Sequence, residues 1–251
     1  MRTVVAAVTV VVILADALAA TGRAQQVIPA PSAKVTPEQQ EAIDAYATEL
    51  KRFLMGQGMS MEPLLAAADR ITHLLNFPVA PGERPRPHVD ELAPDELRRI
   101  ERPLTGISIH IGDFIDVSPD REYFLGQARL HGGPVDIEFF ALLKRAYRPS
   151  GWPIEVERTS AESGCIDFTS GELVDLFWAW QRFRSVNPGR YDSATAKELA
   201  RLEENLLTPD RSRCPQNPAM VERELRRLVE LLPQHPIAAK IRQRLSGALR
   251  P

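Results

Sequence analysis

A mainly α-helical fold is expected from three features of this chain. Apolar residues recur every three or four positions through most of its length, and proline or glycine closes nearly every such run. Ser, Thr, Asp or Asn stands where several of the runs begin, as helix starts require. The expected architecture is a set of antiparallel helical pairs or a bundle, with one irregular segment and one disulfide.

Residues 1–24 are expected to lie outside that fold. Arg2 gives a positive start, Val4 to Leu14 is almost purely apolar, and small residues follow, which is the pattern of a secretory signal peptide. Cleavage after Ala24, behind Gly22, is preferred to cleavage after Ala19. The apolar run is too short for a membrane anchor, which needs about 20 residues, and Asp16 weakens that reading further. No cysteine stands near the cleavage region, which disfavours a lipid anchor.

The rest has enough length for one large or two small domains. Residues 25–35 read as a disordered lead-in. Thr36-Pro37-Glu38-Gln39 then carries a capping box with proline in the first turn, and Ile43, Tyr46, Leu50 and Phe53 share one face. A second helix follows Ser60, with Leu64, Leu65, Ala68, Ile71 and Leu75 inward, so that 36–77 forms an N-terminal helical pair. Pro78, Pro81, Pro85 and Pro87 exclude regular helix; 78–89 is read as a linker or surface strap. The main helical domain spans 90–251.

Within it, Asp90 to Arg102 reads as a short charged helix. Leu104 to Val117 supports two readings. Ile107, Ile109 and Ile111 alternate with polar residues as in a strand, while Leu104, Ile107, Ile111, Phe114 and Ile115 share a helical face. Helix is preferred, because the neighbouring segments are helical. Ser118-Pro119-Asp120 starts a helix that His131-Gly132-Gly133 ends, and Pro134 to Tyr147 forms another. Arg148 to Phe168 breaks the pattern, with an extended piece at Trp152 to Val156.

Thr169 to Val186 is expected to be the central helix. Thr169 and Glu172 suggest a capping box, Leu173, Leu176, Phe177, Trp180 and Phe183 form one stripe, and Val174 and Trp178 lie off it. Such broad apolar coverage implies several packing partners. Arg182 and Arg184 are expected to pair with Asp175, Glu203 or Glu204. Helices from Asp192, Asn217 and Pro236 complete the chain.

The two cysteines, Cys165 and Cys214, are expected to form one disulfide in an oxidising compartment. Neither belongs to a C-x-x-C pair, which disfavours redox exchange and structural zinc. The formal net charge is −2 and becomes about −3 without the leader, so there is no global pull toward nucleic acid or anionic lipid.

Phe183 to Ala194 and Leu228 to Ala239, 45 residues apart, each carry an apolar helix end, a proline break and an alanine-containing second helix. Leu228 to Leu245, L-V-E-L-L-P-Q-H-P-I-A-A-K-I-R-Q-R-L, resembles a helix-turn-helix unit of tetratricopeptide-like proteins of the bacterial envelope. The resemblance covers 170–250. It departs from the family spacing of about 34 residues and from its tryptophan, glycine and tyrosine positions. It implies stacked helical pairs and a scaffold for protein contacts, and it carries over no catalytic residue. Ordinary antiparallel helices joined by proline turns explain the same residues.

The candidate chemistry is sparse. His110, Asp113, Asp116, Asp120 and His131 form a polar constellation in which His110, Asp113 and His131 could bind a divalent metal, although no H-E-x-x-H signature fixes the ligands. Chance and capping explain the same pattern. Asp136 and Glu138 diverge on a helix and need a partner from elsewhere to act together. Tyr191 and Trp152 suit either an interface or the core, and the core reading is preferred. No catalytic residue and no cofactor is assigned. The leading functional expectation is an exported scaffold that binds another envelope protein, without nucleic acid and without a membrane span after cleavage. An inhibitor or immunity protein against an envelope-acting toxin, and a metal-dependent hydrolase, are the alternatives. Any site is expected in the less regular region 104–165.

Overall fold

The computed structural model describes residues 33–56, 60–76, 87–111, 115–148, 151, 153–158, 164–208 and 217–247. The leader and its cleavage region lie outside the described residues, as do Asp113, Trp152 and Cys214. Nine helices and two small hairpins are present among the described residues.

Helix α1 (Pro37–Leu54) starts at Thr36 with the expected capping box. Helix α2 (Glu62–Asn76) packs along it. Buried Gln39 ties the pair to the next segment by donating to the Leu74 carbonyl at 3.0 Å and the Pro87 carbonyl at 2.9 Å. Ala33 to Val35, the end of the expected disordered lead-in, is ordered: Ala33 pairs with Leu92, and the Val35 amide donates to Glu96 at 3.0 Å. After a 3₁₀ turn at Val89–Glu91, α3 (Pro94–Glu101) leads into the segment that the sequence left ambiguous.

There the preferred helix is wrong, although the fold as a whole is mainly helical, as expected. Strands β1 (Ile107–Ile111) and β2 (Ile115–Pro119) form an antiparallel hairpin, pairing Ile109 with Val117 and His110 with Asp116. Two local causes favour it. Gly106, at φ +86°, takes a left-handed conformation that a helix does not contain, and β-branched isoleucines at alternate positions fit a pleated surface. A tertiary cause completes it. The Asn76 side-chain amide, at the end of α2, donates to the Val117 carbonyl and accepts from its amide at 2.7 Å, standing in for a third strand.

Helices α4 (Arg121–His131) and α5 (Pro134–Ala146) pack together. A second hairpin, β3 (Val156–Arg158) and β4 (Gly164–Ile166), follows. Helix α6 (Glu172–Val186) buries Leu173, Val174, Leu176, Phe177, Trp180 and Phe183. It touches α5, α7 (Asp192–Leu207) and α8 (Pro218–Leu231), as its broad apolar coverage implied. Its expected capping box does not form: Gly171, at φ +75°, precedes the first turn, and Thr169 bonds back to Asp167. Helix α9 (Pro236–Gly247) packs on α7 and α8.

A single hydrophobic cluster runs from Ala42 on α1 to Ile241 on α9, and Pro31–Pro251 forms one compact unit. The N-terminal pair and the main helical region therefore share a core. At its centre the Phe139 ring stacks on Tyr191 at 3.8 Å and meets Trp180 edge-on at 5.5 Å. The preferred core reading of Tyr191 is therefore correct. Among the described residues no helix is long and apolar enough to cross a membrane.

Candidate functional site

The β1–β2 hairpin, the start of α4 and the end of α5 enclose a groove of about 410 Å³. The hairpin contributes Ser108, His110, Asp116 and Ser118, α4 contributes Arg121, and the α5 end contributes Lys144, Tyr147 and Arg148. A second cavity of about 200 Å³ lies beyond a wall made by Ser118, Pro119, Arg121 and Tyr147, which line both spaces. Asp69, Thr72 and Asn76 of α2 and Lys197 and Glu198 of α7 line its far side.

The wall is held by a chain of polar contacts. Tyr147 Oη donates to Glu198 Oε1 at 2.7 Å. Arg201 donates from Nη2 to Glu198 Oε2 at 2.9 Å, and through Nη1 to Glu155 Oε1. Asn205 Nδ2 also donates to Glu155 Oε1, at 3.2 Å. Glu155 and Glu198 are both buried, and such carboxylates persist only when paired. On the Tyr147 ring lie two guanidinium groups, Arg121 at 4.0 Å from the ring centre and Arg201 at 5.2 Å, each in cation–π contact.

Burial sets the electrostatics of this cluster. It pushes the carboxyl pKa of Glu198 and of Asp69 up, and it pulls Arg121 and Arg201 down. Asp116, Asp120 and Glu198 oppose the shift at Arg121 through space. The Arg121 side chain makes no hydrogen bond or ion pair among the described residues; it lies over the face of Tyr147.

The other charged groups of the groove are engaged. Asp116 accepts from Ser118 Oγ at 2.7 Å, and Asp120 caps α4 by accepting from the Glu122 and Tyr123 amides. Lys144 pairs with Glu122, and Arg148 donates to the Ile154 carbonyl at 3.2 Å. An arginine whose face is stacked and whose edge is open can receive a planar oxyanion through two parallel bonds.

The residues of the expected metal constellation part company. His110, Asp116 and Asp120 line the groove. His131 is at the end of α4, edge-on to Phe53 at 6.0 Å, and is not a lining residue. Asp113 lies outside the described residues, among which no group of three or more metal-ligating side chains occurs. Arg184 bonds Gln181 and Arg182 stacks over Trp178, in place of the ion pairs expected for them. Asp175 instead pairs with Arg227, and Glu203 with Lys240. Asp136 and Glu138 diverge as expected: Asp136 is buried, and exposed Glu138 accepts from Asn187.

Sequence reasoning did not single out Arg121, Tyr147 or Glu198. Arg121 and Tyr147 stand next to helix ends, and Glu198 sits inside an amphipathic helix, where charged residues are ordinary. Cys165 on β4 is buried, and no free cysteine occurs among the described residues. No protein-family model matches the chain, and comparison with curated proteins and with solved structures finds no match.

Proposed function

We propose that this is an exported binding protein of the cell envelope, periplasmic or extracellular, whose groove beside the β1–β2 hairpin seats a segment of another envelope protein. The observation that carries the reading is Arg121, a half-buried guanidinium that lies over the Tyr147 ring, lines both cavities and has no hydrogen-bond acceptor for its side chain among the described residues. Sites that combine a concave surface with a few oriented polar groups are where ligands bind. A photo-crosslinking residue in place of Ser118, used in the source cell, tests it. One discrete adduct is expected at Ser118 and none from the same residue in place of Arg182 on α6. Absence of adduct at Ser118, or equal labelling at both positions, overturns the reading.

Export rests on the leader pattern at 1–24. Protein recovered from the periplasm or medium is expected to begin at Gln25; recovery only from the cytoplasm, with Met1 retained, counts against it. The reading also includes the Cys165–Cys214 disulfide, supported by the burial of Cys165. It includes two stacked helical pairs of tetratricopeptide-like form as well, supported by the contacts of α6 with α7 and α8 and of α9 with α7 and α8.

A further inference from the structure

We infer that Arg121 anchors a carboxylate carried by the ligand, gripped by two parallel bonds from the edge of its guanidinium; the inference rests on the groove being a binding site. Three observations converge on that group. Its guanidinium carbon lies over the Tyr147 ring, 4.0 Å from the ring centre. That ring is in turn fixed through Glu198, Arg201 and Glu155, two of them buried carboxylates. The donor therefore rests on a fixed ring before any ligand arrives, which lowers the entropic cost of binding. Finally, Arg121 has no protein acceptor among the described residues, while Asp116, Asp120, Lys144 and Arg148 in the same groove each have a partner.

The surroundings select among oxyanions. Asp116 and Asp120 both act on Arg121 through space, while the groove's other cations are engaged, Lys144 with Glu122 and Arg148 with the Ile154 carbonyl, so a group gripped by Arg121 has two carboxylates as near neighbours. A doubly charged phosphate is repelled by those neighbours more than a singly charged carboxylate, and a planar carboxylate matches the guanidinium fork. Two of the α4 amides, those of Glu122 and Tyr123, are already taken by Asp120. The groove of about 410 Å³ accommodates a few residues of an acidic peptide. The carboxylate belongs either to an Asp or Glu side chain or to a chain terminus.

The test uses the full exported chain with ¹⁵N-labelled arginine, following the side-chain Nε–Hε signals by NMR. Three probes are titrated: N-acetylglycine for a terminal carboxylate, N-acetylglutamate α-amide for a side-chain carboxylate, and inorganic phosphate. At least one carboxylate is expected to shift a single arginine signal, which is missing in Arg121→Gln and retained in Arg182→Gln. Arg121→Lys keeps the charge but loses the fork, and binding is expected to weaken by about tenfold to a hundredfold. The inference is overturned if neither carboxylate moves the signal, if phosphate binds more tightly, or if Arg121→Lys binds as well as the parent. Crosslinking through Ser118 together with an unmoved Arg121 signal sinks this inference alone. A carboxylate-induced shift without any crosslinked partner leaves the Arg121 site standing and removes the protein-partner reading.

Discussion

The Tyr191 hydroxyl donates to Asp136 Oδ1 at 2.5 Å, joining the start of α7 to the start of α5. Tyr191 reaches it from a left-handed backbone conformation, φ 55°, while its ring stacks on Phe139. The Asp136 carboxylate also accepts from the Met61 and Gly133 amides and from Arg190. One buried acid thus fastens three chain segments that are distant in sequence. Tyr191→Phe is expected to cost about 1.5–3 kcal/mol, the range for a hydrogen bond to a charged group. Asp136→Ala strands several buried donors and is expected to cost at least about 3 kcal/mol. Urea unfolding checks both; a Tyr191→Phe midpoint equal to the parent's refutes the assigned role.

Gly106 precedes the β1–β2 hairpin with φ +86°, and a Cβ there would lie 2.3 Å from the Tyr123 ring. Gly106→Ala is expected to destabilise by about 1–3 kcal/mol through backbone strain and overpacking. It is also expected to disturb the groove wall that the hairpin forms. A crystal structure of the variant with Tyr123 unmoved, and unchanged stability, would contradict this.

Arg99 donates twice to Glu96, at 2.9 Å each, and with help from the Val35 amide holds the Glu96 carboxyl down to about 2. A carboxylate whose pKa is depressed by folding stabilises the native state above its unfolded value, here 4.5. That contribution is lost as pH falls toward 2. Glu96→Gln is expected to lower the melting temperature at neutral pH and to flatten its decline between pH 4.5 and 2. An acid limb of unchanged slope in the variant argues against the linkage.

Denatured but unreduced protein is expected to show no thiol on titration. Closing a loop of about 50 residues stabilises by about 4 kcal/mol in the chain-entropy model, so reduction is expected to lower the melting temperature. Two free thiols, or an identical melt with and without reductant, would dispose of the Cys165–Cys214 bridge.

The helices were legible from the chain alone because their determinants are local. Periodicity, the Thr36–Gln39 box and the Asp120 and Asn217 caps act within a few residues, and a core stripe such as Leu173 to Phe183 declares itself by spacing. Tertiary partners decided the rest. Residues 104–117 satisfied two periodicities at once, and Asn76, 41 residues before Val117, supplied the backbone bonds of a strand edge. The candidate site was hidden for the same reason. Tyr147 and Glu198 are separated by 51 positions, and neither looks unusual within its own helix. A hydrogen bond between buried groups depends on which helices pack together, so the open edge of Arg121 became visible only once the fold had brought Tyr147 beneath it.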